Sequence, residues 1–164
     1  MSTRGEAKRL EARLATGITG SELGTDALRR RVTDAWRLRQ RSRYVEHGRL
    51  LPGLLTDAHA SRELAGDDQV QALGVAAYAD NTATSVLLKL GDNVLALIAA
   101  DRAVQAARTV GDPLLLGACA YRLANVFLPT GRLVEAKEVA LSAAAWTVVQ
   151  MHRARTWPGG AACC

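Results

Sequence analysis

Apolar residues recur along the chain with the spacing of helices, in six segments separated by short polar turns. In each segment the apolar positions return every three or four residues, which is the period of one face of an α-helix. The predicted helices cover residues 27–46, 49–65, 69–90, 92–110, 113–130 and 132–149. Because short turns force consecutive helices to run antiparallel, the pattern predicts an all-α fold of three helical hairpins.

Glycine followed by aspartate marks the predicted turns. The turns are Gly66-Asp67-Asp68, Gly91-Asp92 and Gly111-Asp112-Pro113. Glycine can end a helix in the left-handed conformation, and aspartate can cap the first backbone N–H groups of the next helix. Pro113 suits the first helical position, where its missing N–H costs nothing. The turn residues therefore agree with the helical periodicity.

The hairpins also repeat in sequence. Gly91, Ala96, Ala100 and Ala103 recur forty residues later as Gly131, Ala136, Ala140 and Ala143. A more divergent first copy is predicted to turn at Gly48 and to continue through Leu51, Leu54, Leu55 and Ala58. Repetition at this period is typical of stacked supersecondary units, in which small residues let the helix axes approach closely. We therefore expect a short α-solenoid.

Composition and charge narrow the class of protein. The 164 residues suffice for one domain, and apolar content of 49% with only 4% aromatics favours close helix packing through Ala, Leu and Val. Eighteen Arg and three Lys give a net charge of +5, which permits nucleic-acid contact without requiring it. The start MSTRGEAKRLEARLA is charged where a signal peptide is apolar, and no apolar run is long enough to cross a membrane, so a cytoplasmic protein is expected.

Candidate chemistry is scarce, and we expect neither an enzyme nor a cofactor. His47 and His59 lie on different predicted helices without the spacing of a metalloprotease pair, and the chain has no phosphate-binding glycine loop. His152 with Cys163 and Cys164 makes a poor tetrahedral metal site, so no metal is expected. Cys119, inside an Ala-rich helical pattern, is interpreted as a small buried hydrophobic residue.

Residues 120–145, AYRLANVFLPTGRLVEAKEVALSAAA, resemble a tetratricopeptide repeat. The positions that match the family's small and large residues are Leu123, Ala124, Phe127, Gly131, Leu133, Ala136, Ala140 and Ala143. The preceding copy, from about Ala77 to Arg108, matches in Leu87, Gly91, Ala96 and Ala103 but departs at Thr84 and Asn93. The resemblance implies a tetratricopeptide-like α-solenoid of antiparallel hairpins.

A wider resemblance covers VTDAWRLRQRSRYVEHGRLLPGLL and the run from LLKLGDNV to AKEVAL. These segments are similar to the repeat domain of actinobacterial helix-turn-helix (XRE-type) transcriptional regulators, in which the repeats are thought to sense or oligomerise. We expect no helix-turn-helix segment in this sequence, because residues 1–26 are too short for one, and the similarity ends after about Val149. We expect an N-terminal extension or linker at 1–26, a repeat domain at 27–149 and an irregular tail at 150–164, as in a truncated or frame-shifted relative.

The tetratricopeptide resemblance implies a ligand groove lined by the first helix of each hairpin. Carried over position by position, the groove residues are Tyr78, Asn81, Ser85, Lys89, Tyr121 and Asn125. Asn amides can pair with an extended peptide backbone, and Lys89 can meet a carboxylate. The alternative is that these are ordinary solvated helix residues.

An Arg-rich helix supplies a second candidate surface. Seven Arg residues between Arg29 and Arg43 accompany a single acid, Asp34, and Arg30, Arg37 and Arg41 are the candidate phosphate contacts. Because the seven point in several directions around the helix, a solvated face with packed aliphatic stems is favoured.

These observations predict a protein-interaction or signal-sensing module that binds a peptide, a partner protein or a small signal. The alternatives are direct nucleic-acid binding through the Arg-rich helix, and a non-functional remnant that self-associates through the exposed end of the last hairpin. A protein or peptide partner, including a second copy, is thus favoured over nucleic acid, and no membrane partner is expected.

Overall fold

The fold is described by a computed structural model that covers residues 24–64 and 68–156, with side chains up to Arg62 and Val149 in those two ranges. Its helices are α1 (Thr25–Gln40), α2 (Tyr44–Leu64), α3 (Gln69–Leu90), α4 (Asn93–Val110), α5 (Pro113–Phe127) and α6 (Leu133–Thr156). A short 3-10 turn, Leu128–Thr130, follows α5. These residues contain no strand, which confirms the predicted all-α class.

Three glycines end helices in the left-handed conformation, as predicted for two of them. The φ angles are +79° at Gly91, +75° at Gly111 and +72° at Gly131. Asp92 Oδ1 accepts the Leu95 N–H at 3.0 Å, while Asp112 caps the first turn of α5 in the same way. Because glycine adopts this conformation without the Cβ clash of other residues, it sets where each helix stops.

The first turn of the chain lies elsewhere than predicted. Helix α1 ends at Gln40 and α2 begins at Tyr44, so Gly48 is buried inside α2 and does not form the turn. The chain reverses at Ser42, whose φ is +56°, and the Arg43 N–H bonds back to the Leu38 carbonyl at 2.9 Å. A non-glycine residue performs the left-handed step here, which the pattern of glycines could not indicate.

The helices stack as three antiparallel hairpins in a short α-solenoid. Each hairpin pairs consecutive helices, α1 with α2, α3 with α4 and α5 with α6. The first helices also contact one another, α1 with α3 and α3 with α5, and each second helix packs on the first helix of the next hairpin. Helix α3 is therefore central and touches four others, with alanines such as Ala76, Ala79 and Ala83 fully buried.

At both ends of the repeat domain the helices extend beyond the predicted boundaries. Helix α1 begins at Thr25, inside the predicted 1–26 linker, and residues 1–23 of that linker lie outside the described residues. Helix α6 continues to Thr156, beyond the predicted end at Val149, so the start of the expected irregular tail is helical. Residues 157–164 of that tail are not among those described. No helix in the described part of the chain combines the length and apolarity needed to cross a membrane.

Candidate ligand-binding groove

The first helices of the three hairpins enclose a groove cavity of about 580 Å³. Helix α1 contributes Val32 and Trp36, α3 contributes Val75, Tyr78, Asn81 and Thr82, and α5 contributes Leu115 and Ala118. The walls are mostly apolar, and the few polar groups come chiefly from α3. Concave, largely apolar cavities of this size with a few converging polar groups are typical ligand sites.

The four groove residues predicted on α3 form one stripe, but only two line the cavity. Tyr78 is 47% exposed and Asn81 is 3% exposed, and both face it. Ser85 is buried and accepts a hydrogen bond from Arg39 Nε at 2.6 Å. Lys89 is exposed in the last turn of α3, away from the cavity lining. The four residues therefore share a helix face, and two of them line the cavity.

The two groove residues predicted on α5 do not line the cavity either. Tyr121 is 64% exposed, and the Arg122 guanidinium lies 5.9 Å from its ring centre. Asn125 is half-buried. The α5 wall is formed earlier in the helix, by Leu115 and Ala118. Tyr121 and Asn125 thus lie on the first helix of the third hairpin, as the resemblance implies, but outside the enclosed part of the groove.

Sequence reasoning missed the contribution of α1. Trp36 lines the cavity, and the Arg39 guanidinium stacks on its ring at 4.4 Å from the centre. Because Arg39 also donates to Ser85, it joins α1 to α3 beside the groove. The signal was present in the prediction itself, since α1 is the first helix of its hairpin and should line the same groove as α3 and α5.

Charged side chains of both signs lie at or near the groove. Arg29 and Asp112 line the cavity. Arg122 is half-buried, and its Nε has no hydrogen-bond partner among the described residues. Burial lowers the pKa of Arg122, and the nearby Arg39 charge lowers it further. The pKa of the Tyr78 hydroxyl is raised by burial and then by the Asp112 carboxylate, so Tyr78 stays neutral near neutral pH.

The Arg-rich helix divides into bonded and solvated residues. Arg31 pairs with Asp57, Arg43 pairs with Glu46, and Arg29 Nη2 donates to Gln71 at 3.2 Å. The candidate phosphate contacts Arg30, Arg37 and Arg41 are exposed and share one face, since they are seven and four positions apart. Of these, Arg37 bonds Asp34 at 3.0 Å.

The last hairpin leaves apolar residues uncovered. Leu133, Val134, Leu141 and Val148 on α6 are all more than half exposed. Ala140 is exposed as well, whereas its repeat counterpart Ala100 is fully buried beneath neighbouring helices. The difference arises because α4 is followed by another hairpin in the stack, and no described helix packs against α6 in the same way.

Histidine and cysteine positions differ in part from the sequence interpretation. His47 and His59 both belong to α2, not to two helices. Cys119 is fully buried, and burial raises its pKa to about 12, which agrees with its interpretation as a buried apolar residue. Within the described side chains no group of three or more His, Cys, Asp or Glu could hold a metal ion. His152, Cys163 and Cys164 fall outside them.

His47 makes stability depend on pH. It is fully buried, and neither ring nitrogen has a hydrogen-bond partner in the part of the chain that the structure describes. Burial, with the Arg39 charge as a smaller cause, lowers its pKa from 6.5 to about 4. Protonation of His47 therefore favours the unfolded chain. The free energy of unfolding is highest above pH 6.5 with respect to this group, and it decreases as the pH falls toward 4. The expected loss by pH 4 is about 3 kcal/mol.

Urea unfolding of the wild type and His47→Leu, at pH 7 and pH 4, isolates this contribution. Between pH 7 and pH 4 the free energy of unfolding should fall by about 3 kcal/mol more for the wild type than for the variant, because leucine cannot take up the proton. The other ionisable groups are the same in both proteins, so their contributions cancel in the difference. Parallel pH profiles for the two proteins would show that His47 does not carry the effect.

Comparison of the chain with protein-family profiles, curated proteins and solved structures gave no match. The described residues themselves define the class: an all-α protein of stacked helical hairpins with a cavity between the first helices of the hairpins. Any more particular assignment depends on the chemistry of that groove and on the sequence resemblance.

Proposed function

We propose that this chain is a cytoplasmic protein-interaction or signal-sensing repeat module of a transcriptional regulator. It binds a peptide, a partner protein or a small signal in the groove between α1, α3 and α5. The observation that carries the proposal is the groove itself, in which Tyr78 and Asn81 from the predicted set meet Trp36. The regulatory role and the tetratricopeptide assignment depend on the sequence resemblance, strongest around Gly131 and Ala136.

A peptide-library selection tests the proposal. Immobilised wild-type protein should enrich related peptides, and Tyr78→Ala with Tyr121→Ala should weaken their binding by about tenfold or more, because aromatic side chains commonly dominate interface energetics. Val94→Ala is the matched control, since Val94 is 72% exposed on α4 and does not line the groove. Enrichment that the tyrosine variants leave unchanged, or no enrichment, would count against groove recognition.

Direct nucleic-acid binding is the second candidate. One observation favours it, namely that Arg30, Arg37 and Arg41 share an exposed face. Contacts to phosphate release counterions, so such binding should weaken steeply as salt rises, whereas an apolar groove ligand should respond little. A triple Arg→Gln variant at these positions would abolish salt-dependent binding to duplex DNA if this candidate is correct.

A further inference from the structure

Two residues that line the groove cavity carry buried polar atoms. Asn81 is 3% exposed and Thr82 is 1% exposed, and both line the cavity. Neither Asn81 Oδ1 nor Thr82 Oγ1 has a hydrogen-bond partner among the described residues. A buried acceptor or hydroxyl left unpaired costs about 1–3 kcal/mol, so the two atoms are a local deficit that a bound molecule can relieve.

Thr82 differs from four other helical threonines of this chain. The hydroxyls of Thr33, Thr56, Thr84 and Thr109 each donate to the carbonyl oxygen four residues earlier, at 2.9 to 3.2 Å. This local bond is the usual way in which a helix satisfies a threonine. The Thr82 hydroxyl does not make it, although Thr82 is more buried than Thr56. Its capacity to hydrogen-bond is therefore unused among the described residues.

The rest of the cavity restricts the kind of molecule that fits. Trp36 and Tyr78 present aromatic surface on neighbouring helices, and Val32, Val75 and Leu115 are aliphatic. Rings of this kind pack well against flat aromatic molecules. The volume of about 580 Å³ lies within the range of small-molecule sites. A flat aromatic molecule with one polar edge toward Asn81 and Thr82 would match both the apolar walls and the two polar side chains.

The neighbouring charges select against a cation. Arg29 lies at the cavity, 3.8 Å from Asp26. Arg39 stacks on the Trp36 wall and donates to the neutral Ser85 hydroxyl, so its charge remains beside the cavity. The acid in the lining is Asp112, whose Oδ1 already accepts the Leu114 and Leu115 N–H groups as the cap of α5. The cavity therefore favours a neutral or an anionic molecule over a cationic one.

We propose that the groove cavity binds a small aromatic molecule, neutral or anionic, that carries a ring N–H or O–H. The ring packs between Trp36 and Tyr78. The Asn81 and Thr82 side chains turn toward it, so that its N–H or O–H donates to Asn81 Oδ1 and Thr82 bonds the same polar edge. This inference rests on the proposed function, because it names the class of signal that the groove takes. It depends on the unpartnered atoms and not on the sequence resemblance.

A matched set of probes tests the proposal by ligand-observed and protein-observed NMR titration. Indole has the donor, 1-methylindole keeps the ring without it, and indole-3-acetate and tryptamine differ in the sign of their charge. Indole should bind saturably and about tenfold more tightly than 1-methylindole, which corresponds to about 1.4 kcal/mol for the hydrogen bond. Indole-3-acetate should bind more tightly than tryptamine.

Two variants locate the site. Asn81→Ala should remove the preference for indole over 1-methylindole, whereas Asn125→Ala, the same change on α5 outside the cavity, should keep it. Thr82→Val, nearly equal in shape, provides a second reading if Asn81→Ala does not fold. Equal binding of the two indoles, no saturable binding, or an unchanged preference in both cavity variants would overturn the proposal and leave the cavity to water or to a peptide side chain.

The outcomes separate this inference from the proposed function. If peptide binding depends on Tyr78 and Tyr121 and the aromatic probes do not bind, the small-molecule site is ruled out and the interaction module is supported. If binding of the probes depends on Asn81 and no peptides are enriched, the aromatic-ligand site is supported and the peptide-binding role is ruled out.

Discussion

Replacement of His59 by leucine is expected to destabilise the protein by about 3–5 kcal/mol, because it strands the charge of Asp80 in the core. The Asp80 side chain is fully buried on α3, and His59 Nε2 on α2 lies 3.1 and 3.2 Å from its two carboxylate oxygens. The pair therefore links the first hairpin to the second. Urea unfolding followed by circular dichroism measures the loss.

A double-mutant cycle with Asp80→Asn shows whether the stranded charge is the cause. Asparagine keeps the shape of the side chain but removes its charge. In that background the same His59→Leu change should cost clearly less, with a coupling free energy of about 0.5–3 kcal/mol. Independent, additive losses would mean that His59 acts through packing alone.

The His59–Asp80 pair also shows where sequence reasoning ends. Asp80 lies within QALGVAAYADNTATSV, and its burial follows from the central position of α3, which four other helices cover. Periodicity can assign one apolar face to a helix, but it cannot reveal that nearly the whole circumference is buried. A buried carboxylate and its partner on another helix were therefore beyond the sequence pattern.

The helix boundaries were predictable where glycine performs the left-handed step. Gly91 and Gly111 end helices as expected, because a residue without Cβ fits that conformation and the following aspartate caps the next helix. At Ser42 a serine does the same, and the prediction moved the turn to Gly48. The turn was misplaced because serine, unlike glycine, does not by itself indicate a positive φ angle.

The candidate site was predictable as a helix face and not as a set of contacts. Tyr78, Asn81 and Ser85 share a stripe because of the helical period, and two of them do line the cavity. Ser85 is bonded instead to Arg39, which requires α1 to approach α3 with a particular side-chain conformation. Pairings between helices far apart in sequence depend on tertiary packing that the period alone does not determine.

Ala100→Leu is expected to destabilise the protein by about 1–3 kcal/mol, whereas Ala140→Leu should change stability by no more than about 0.5 kcal/mol. Both alanines occupy the same place in the forty-residue repeat and lie inside a helix, so intrinsic helix propensity is nearly equal for the two changes. Ala100 is fully buried at a helix crossing, where added methyl groups must displace neighbours. Ala140 is exposed on α6. Urea unfolding of both variants gives the comparison.

Repeating the Ala140→Leu measurement at low and high protein concentration extends it to self-association. If a second copy covered α6, the larger side chain would disturb that contact, and the wild type alone would gain stability with concentration because association stabilises the folded state by mass action. Concentration-independent unfolding of both proteins would mean that α6 stays uncovered in the isolated chain. Equal losses for Ala100→Leu and Ala140→Leu at low concentration would contradict the stacking order itself, since that order alone distinguishes the two positions.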